Sequence, residues 1–296
     1  MAGLLLEIGY FGVFTFIFSS MLAMGMSISL RDLTSPLHNP RLVVLSLLAN
    51  FVIVPVFAFI LLSIFPVSGE LAAGLILVSI AAGAPSTPKV AELTGGNIAY
   101  AVSLTLLMTL VTIVLMPLLV PYILDGVGMD PTIIAYHLVF FMLLPILAGM
   151  LLRDRMPDTA GRVLPAIDFI SNATIGVIFL AFGVLFFAHI KELFGNILGM
   201  EVVVIALLFV VGTLLIGYAM GGPDRNNRWV LAFGTGFRNV TAALVVITAG
   251  YRDLENDVFL MVLAVTLFSV IIVSAIVGFM LKKQLHVGKR LQARGS

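Results

Sequence analysis

Residues 70–94 read ELAAGLILVSIAAGAPSTPKVAELT, an apolar run that is interrupted by the segment Gly83-Ala84-Pro85-Ser86-Thr87-Pro88-Lys89. Proline removes a backbone donor and clashes with the preceding turn, and glycine weakens a helix by about 1 kcal/mol relative to alanine. The run is nevertheless long enough to span a bilayer, which takes about 20 apolar residues. We therefore predict a membrane-spanning helix that is broken near its middle.

A second interruption, Gly234-Thr235-Gly236-Phe237-Arg238-Asn239, lies in an apolar segment late in the chain. The two breaks correspond if helices one to four match helices six to nine in the opposite orientation, and a weak similarity between residues 22–33 and 180–193 favours such an inverted repeat. Paired broken helices in inverted repeats indicate a transporter's binding site. Unwound backbone survives at that depth only where it lines a cavity or is buried in protein. The alternative is a plain kink in each helix.

The composition extends this prediction to the whole chain. Of the 296 residues, 61% are hydrophobic and only 10% are charged, whereas about a quarter of the residues in a soluble domain are charged. We therefore predict an all-α polytopic membrane protein, and we exclude a peripheral enzyme, a nucleic-acid-binding protein and a secreted scaffold. Nine helices are predicted, at 4–30, 41–65, 70–94, 97–124, 131–152, 163–190, 197–220, 227–250 and 256–281.

Four regions follow from these helices. We expect a first repeat over 1–124, a connector with the fifth helix over 125–162, an inverted second repeat over 163–281, and a basic tail over 282–296. The first residues lack a basic stretch and a cleavage site, so we interpret them as the start of the first helix and not as a signal peptide. Cysteine is absent, so disulfides and thiolate metal sites are excluded; no metal site and no cofactor are expected.

Lysine and arginine segregate between alternate loops, and such cations collect on the cytoplasmic side of a membrane. This predicts a cytoplasmic C-terminus, an external N-terminus, and a place in a bacterial inner or plasma membrane. The predicted cytoplasmic cations are Arg31, Arg41, Arg153, Arg155, Arg162, Arg225, Arg228, Lys282, Lys283, Lys289, Arg290 and Arg294, against Lys191 and Arg252 outside.

Four charges remain in or near the predicted helices: Lys89, Glu92, Asp168 and Arg238. A charge inside a membrane segment costs at least about 2.5 kcal/mol, so these residues indicate function. The half-helix that follows each break points its positive dipole end into the gap, and backbone N–H groups there bind anions. Because Lys89 and Arg238 add positive charge, we predict a carboxylate site. The predicted substrate-binding residues are Ser86, Thr87, Lys89, Thr235, Gly236, Arg238, Asn239 and Thr241, and the predicted helix-breaking residues are Gly83, Pro85, Pro88, Gly234 and Gly236.

Each of these charges has an alternative interpretation. Lys89 could extend to the cytoplasmic surface with Glu92 as its helical partner. Arg238 could form a structural ion pair with Asp168. Asp168 itself is a candidate for proton coupling, a salt-bridge partner or an interfacial residue.

At these residues the chain resembles the bile acid:sodium symporter family over nearly its whole length. The resemblance is strongest at residues 74–78, at residues 93–97 leading into Ser103 and Thr105, and at the second break. It implies a core domain with two crossing discontinuous helices, a panel domain packed against it, and alternating access. Bacterial relatives often have ten helices, so nine here implies that the first is missing.

The chain departs from the family at the residues that the resemblance associates with sodium. A Ser-Asn pair is replaced by Thr87-Pro88, a glutamate by Gly234 and a glutamine by Arg238, whereas Thr105 and Asn239 keep the family's residue types. We therefore hypothesise that the two fixed cations take the electrostatic role of two sodium ions. Transport would then be sodium-independent, as uniport, exchange or proton coupling through Asp168.

The expected function is secondary transport of a small or amphipathic organic anion, such as a bile-acid-like or pantoate-like carboxylate, with the lipid bilayer as the other partner. The alternatives are a sodium-coupled symporter with altered ligands and a cation/proton antiporter of related fold, which would need acidic residues at the breaks. An arsenite carrier would normally show a cysteine at the site. A membrane enzyme is disfavoured because Ser86 and Lys89 form only a chance-level dyad and the histidines, His38, His137, His189 and His286, fall at helix ends or in loops.

Overall fold

The structure, a computed structural model, describes the backbone of residues 2–28, 39–123, 130–195, 197–250 and 257–295. Side chains are described for 7–28, 39–122, 130–181, 200–249 and 257–283. Within these ranges the chain is all helical, as predicted, and contains no strand. Several residues singled out from the sequence have side chains outside these ranges: Arg31, His38, His189, Lys191, Arg252, His286, Lys289, Arg290 and Arg294.

Thirteen α-helices and two π-helical turns make up the described chain. The π-helical turns are Ala49–Ile53, between α2 and α3, and Val139–Leu143, between α7 and α8. The helices are α1 (Ala2–Ser27), α2 (Pro40–Leu48), α3 (Val54–Ile64), α4 (Gly69–Ile80), α5 (Thr87–Thr94), α6 (Ile98–Ile123), α7 (Pro131–Leu138), α8 (Leu144–Arg155), α9 (Pro157–Gly195), α10 (Ile197–Met220), α11 (Arg225–Gly236), α12 (Val240–Gly250) and α13 (Asp257–Gly295).

Eight helical segments of the described chain are long and apolar enough to cross a membrane. They include the continuous segments Pro40–Ile64 and Pro131–Arg155 and the segment Arg225–Ala249, which contains the second break. The third apolar segment is divided into α4 and α5, and α4 is too short to span a bilayer alone. Apolar helices of this length and number are typical of an integral membrane protein.

Two predicted helix ends are wrong. The helix predicted to begin at residue 163 begins at Pro157, because proline suits the first turn of a helix and Asp158 complements its dipole there. The last helix continues to Gly295 and not to residue 281, because no proline follows Asp257 to end it.

Both π-helical turns precede a proline that lies within the next helix, Pro55 in α3 and Pro145 in α8. A proline clashes with the carbonyl group four residues earlier, which belongs to the π-helical turn in each case. The wider turn accommodates the proline without ending the helix. π-Helical turns of this kind occur frequently at functional sites.

The helices pack in two groups. In the first, α1 packs closely on α8 and α9; at Gly25 a side chain would meet the backbone of Ile146, so the two helices depend on this glycine for their approach. In the second, α10 packs on α11 and α13, and α4 packs on α13. Arg225–Ala249 is the most buried segment, at 89%, whereas Pro157–Ala181 is 11% buried. The second break is therefore deep in the protein.

Candidate functional site

The first break separates Ile80, the last residue of α4, from Thr87, the first residue of α5. Gly83 has a φ of +90°, a conformation that favours glycine. A Cβ atom at Gly83 would lie 2.5 Å from the backbone nitrogen of Thr109 and 2.8 Å from the carbonyl oxygen of Thr105. The unwound backbone is therefore pressed against α6, and glycine is required on both counts.

Side chains from α6 bind the unwound backbone. The hydroxyl of Thr112 lies 3.0 Å from both the nitrogen and the carbonyl oxygen of Ala82, accepting from the first and donating to the second. The hydroxyl of Thr109 lies 2.9 Å from the carbonyl oxygen of Gly83. Polar backbone groups exposed by the break are thus paired within the protein, as buried backbone groups must be.

Asn239 connects the second break to the first. Its backbone nitrogen donates to Ala81 O at 2.9 Å, and its side-chain amide donates to Ala82 O at 3.3 Å and to Gly83 O at 3.0 Å. Its Oδ1 atom accepts from the nitrogen of Ala242 at 3.1 Å and so caps the start of α12. The two breaks are therefore in direct contact.

Arg238 is buried at this contact, with 4% of its surface exposed. Nε donates to Val78 O at 3.0 Å and Nη2 donates to Ser79 O at 2.6 Å, both carbonyl groups of the last turn of α4. Nη1 donates to Asn50 Oδ1 at 2.8 Å and lies 3.4 Å from Thr235 O. The guanidinium therefore satisfies carbonyl groups that a helix end leaves unpaired, at the negative end of the α4 dipole.

This arrangement changes the role of Arg238 relative to the sequence-based prediction. A bidentate fork to a carboxylate needs free N–H groups, but here all three guanidinium nitrogens donate to protein oxygens. An ion pair with Asp168 is not formed either, since the salt bridge found within the described side chains joins Lys89 to Glu92. Arg238 is instead a fixed internal cation.

Lys89 has a contrasting environment. Its side chain is 68% exposed, and Nζ lies 2.8 Å from Oε2 of Glu92, which is 56% exposed. This is the alternative pairing that the sequence left open for Lys89. Because it is accessible on α5, Lys89 can exchange its carboxylate partner for another, which Arg238 cannot do.

Asp168 lies on an exposed face of α9. α5 packs on α6 and α11, whereas α9 packs on α1 and α10. Asp168 and Lys89 therefore lie on helices that do not pack closely on each other.

The hydroxyl-bearing residues among the other predicted site residues are exposed, buried without a hydrogen-bond partner, or buried with one. Ser86 is exposed and Thr87 is buried, and the hydroxyl of Thr87 has no hydrogen-bond partner. Thr235 accepts from the amide of Asn50 at 3.3 Å, and Thr241 is paired with the hydroxyl of Ser20 at 3.1 Å. Of the predicted helix-breaking residues, Gly83 and Pro85 lie in the unwound segment, Pro88 lies in the first turn of α5, and Gly234 and Gly236 lie in the last turn of α11.

Sequence reasoning missed Asn50, Ser20, Thr109 and Thr112. The sequence-based prediction is drawn from charged residues and from the residues of the two breaks. These four side chains are neutral and lie in other helices. A signal was present for Asn50, a buried amide inside the apolar run 41–65 and five residues before Pro55. A neutral polar residue within an apolar segment marks a hydrogen-bonded site nearly as well as a charge does.

The described residues fit a bound cation poorly. They contain no cluster of three or more His, Cys, Asp or Glu side chains. The carbonyl groups of residues 78, 79 and 81–84 each accept a hydrogen bond from the protein. Four buried side-chain atoms of the described residues have no hydrogen-bond partner: the hydroxyls of Thr87 and Thr105, Oε2 of Glu201 and Nε1 of Trp229.

Comparison with known proteins places the chain in a family. The family described as "Sodium Bile acid symporter family" matches residues 14–193, which is more than half of the chain and includes the first break. The chain belongs to the sodium bile acid symporter family. Members of this family are transporters, which confirms that the chain is not an enzyme.

Individual relatives are distant. The "P3 protein" of Bos taurus is 25% identical over 256 residues, which cover 81% of this chain and 51% of the relative. The "Probable sodium/metabolite cotransporter BASS1, chloroplastic" of Oryza sativa subsp. japonica is 31% identical over 160 residues, covering 54% of the chain and 39% of the relative. The "Uncharacterized sodium-dependent transporter YocS" of Bacillus subtilis is 26% identical over 159 residues, covering 53% and 49%. This member of the family thus spans about half the length of the curated relatives it matches.

Proposed function

We propose that the protein is a secondary transporter that carries organic anions, most simply carboxylates, across a membrane by alternating access. Family membership supports transport. The sign of the two intramembrane cations, Lys89 and Arg238, supports an anionic substrate, because each stands beside a broken helix. The substrate is either a small acid of the pyruvate or pantoate type or an amphipathic bile-acid-like molecule.

The proposed architecture has nine membrane crossings. α4 and α5 together form the third crossing, and α11 and α12 form the eighth, so that two discontinuous helices cross at the breaks. Hydrogen bonds from Arg238 and Asn239 to residues 78–83 support this crossing. The packing of α1 on α8 and α9 supports a panel domain that moves against the remaining helices. The segregation of cations supports an external N-terminus and a cytoplasmic C-terminus in a bacterial plasma membrane.

We further propose that transport does not require sodium, and the observation that carries this is the environment of Arg238. The C-terminal end of a half-helix in a transporter commonly binds the coupling cation through its carbonyl groups. Here the guanidinium of Arg238 donates to those groups at the end of α4. The residues of the breaks offer no carboxylate to complete a sodium shell.

The two cations then have separate roles. Lys89 and Ser86 are exposed at the start of α5 and are the candidates for direct contact with the substrate carboxylate. Arg238 acts from within the protein by raising the positive potential at the breaks, where the α5 and α12 dipoles have the same sign. Asp168 is the candidate for proton coupling, because it is an exposed carboxylate on α9, a helix that does not pack closely on α5.

A sodium-coupled symporter with altered ligands is the second candidate function. The names of the rice and Bacillus relatives, which refer to sodium, favour it. So do the unpartnered hydroxyls of Thr87 and Thr105, since hydroxyl oxygens can bind a cation.

One experiment separates these functions. The purified protein is reconstituted in liposomes, and uptake of labelled pyruvate, pantoate and taurocholate is measured in sodium chloride and in choline chloride, with protein-free liposomes as the control. We expect uptake of at least one carboxylate at equal rates in the two salts. A requirement for sodium would overturn sodium independence, and absence of carboxylate uptake in both salts would overturn organic-anion transport.

A further inference from the structure

Asn50 holds Arg238 in a buried site. It lies in the π-helical turn Ala49–Ile53 and has no exposed surface. Its Oδ1 atom accepts from Arg238 Nη1 at 2.8 Å, while its amide donates to Ser46 O at 3.0 Å and to Thr235 Oγ1 at 3.3 Å. Every polar atom of the Asn50 side chain is therefore engaged, which fixes the direction in which Oδ1 points.

This anchoring extends to a third helix. The hydroxyl of Ser46 lies 2.6 Å from the carbonyl oxygen of Leu42, to which it donates, and 2.8 Å from the hydroxyl of Tyr100 at the start of α6. Ser46 and Asn50 therefore both bind the backbone of their own helical segment, and Ser46 also binds α6 through Tyr100. These bonds are separate from the contacts of Asn50 with the second break. The guanidinium is held by a rigid support and not by a single flexible contact.

The hydrogen-bond acceptors of Arg238 share a second property, which is that none carries a charge. They are three backbone carbonyl oxygens and the amide oxygen of Asn50. A buried guanidinium is usually paired with a carboxylate, because an uncompensated buried charge is costly. An aspartate at position 50 would supply that carboxylate at the same distance, and this chain has the isosteric amide.

We propose that Asn50 is a positioning residue for Arg238, which holds the guanidinium at the end of α4 while leaving its positive charge uncancelled. The inference rests on the proposed function, in which the charge of Arg238 takes the place of a bound cation. An amide at position 50 is thus required for transport, because an aspartate there would cancel the charge of Arg238.

The first test uses Asn50→Asp, in which uptake is expected to change far more than stability. The new carboxylate pairs with Arg238 but loses the hydrogen bonds that the amide donates to Ser46 O and Thr235 Oγ1, so the two effects oppose each other and Tm is expected to change little. Carboxylate uptake is expected to fall at least 10-fold through a higher KM, because the site loses its net positive charge. Asn97→Asp at the exposed start of α6 is the matched control and is expected to change KM by less than twofold. Unchanged uptake in Asn50→Asp would overturn the proposal, as would a loss of stability and uptake together.

The second test needs no transport substrate. In the double variant Asn50→Asp with Arg238→Gln, the carboxylate and the carbonyl oxygens of Val78, Ser79 and Thr235 remain without the guanidinium. Sodium ions prefer such oxygen ligands, so we expect 100 mM sodium chloride to raise the Tm of the double variant by about 2–4 °C relative to choline chloride. The wild type and Arg238→Gln alone are expected to show no difference.

The outcomes separate the two proposals. A sodium-dependent rise in Tm of the double variant supports the placement of Asn50 and Arg238 whether or not a carboxylate is transported. A folded double variant with no sodium response overturns that placement. Absence of carboxylate uptake by the wild type in the liposome experiment overturns the proposed function alone.

Discussion

The two cations at the helix breaks have similar places in the sequence but opposite environments in the structure. Arg238 is 4% exposed and its three nitrogens donate to neutral oxygens, whereas the Lys89 side chain is 68% exposed and pairs with a single carboxylate. Each guanidinium nitrogen of Arg238 donates to an oxygen inside the protein, whereas the charge of Lys89 is accessible and its carboxylate partner is itself exposed. The second break therefore buries its cation, and the first break presents its cation at an accessible surface.

The largest expected loss of stability is at Gly83 in the first break, and Gly236 beside the second break provides the comparison. In Gly83→Ala the new methyl group meets the backbone of Thr109 and Thr105 and occupies a φ of +90°, and neither feature can relax cheaply. We expect a destabilisation of about 3 kcal/mol or more, measured as loss of folded protein and a lower Tm. In Gly236→Ala the atoms nearest to the new methyl group belong to the side chain of Leu214 and not to the backbone, so the loss should be smaller.

Gly69→Ala is the matched control for both variants, because a Cβ atom at Gly69 has no neighbour within 4 Å. Its Tm is expected to stay at the wild-type value or rise slightly. An equal effect of Gly83→Ala and Gly69→Ala would contradict the tight approach of the first break to α6.

The next largest expected effect is the difference in stability between variants of the two cations. Arg238→Gln leaves acceptors at Val78, Ser79 and Asn50 incompletely paired, and each such buried group costs about 1–3 kcal/mol. We expect a fall in Tm well beyond that of Lys89→Gln, which removes an exposed pair that contributes about 0–1 kcal/mol. Thermal unfolding of both variants in the same detergent checks this order. Equal shifts would show that Arg238 is not the structural member of the pair.

Lys89→Gln should lower Tm less than Arg238→Gln does, but it should have a large effect on substrate affinity. If Lys89 contacts the substrate carboxylate, Lys89→Gln raises KM about 10-fold or more, since a hydrogen bond to a charged group contributes about 1.5–3 kcal/mol. Glu92→Gln frees Lys89 from its competing partner and is expected to lower KM. Initial rates of carboxylate uptake in liposomes measure both. A rise in KM in both variants would indicate that the intact pair, and not the free cation, is needed.

Much of this comparison could be predicted from the sequence. The positions of the breaks follow from Pro85, Gly83 and the glycines before Arg238, because the properties of proline and glycine are local. The environments of the cations do not follow, because they depend on distant contacts. Arg238 meets Asn50 and Ser79, which are more than 150 residues earlier. Lys89 is accessible because α5 ends only five residues later, at Thr94, a boundary that hydrophobicity alone does not show.

The smallest effect on overall activity is expected at Asp168, an exposed carboxylate on α9. Asp168 forms no salt bridge among the described side chains, so Asp168→Asn should alter exchange of labelled for unlabelled carboxylate by less than about threefold. If Asp168 carries a coupling proton, the same variant loses the stimulation of net uptake by an imposed pH gradient, while exchange persists because it needs no net proton movement. Asn172→Ala, one helical turn further along the same exposed face, is the control and should retain that stimulation. Stimulation that survives in Asp168→Asn would contradict proton coupling through this carboxylate.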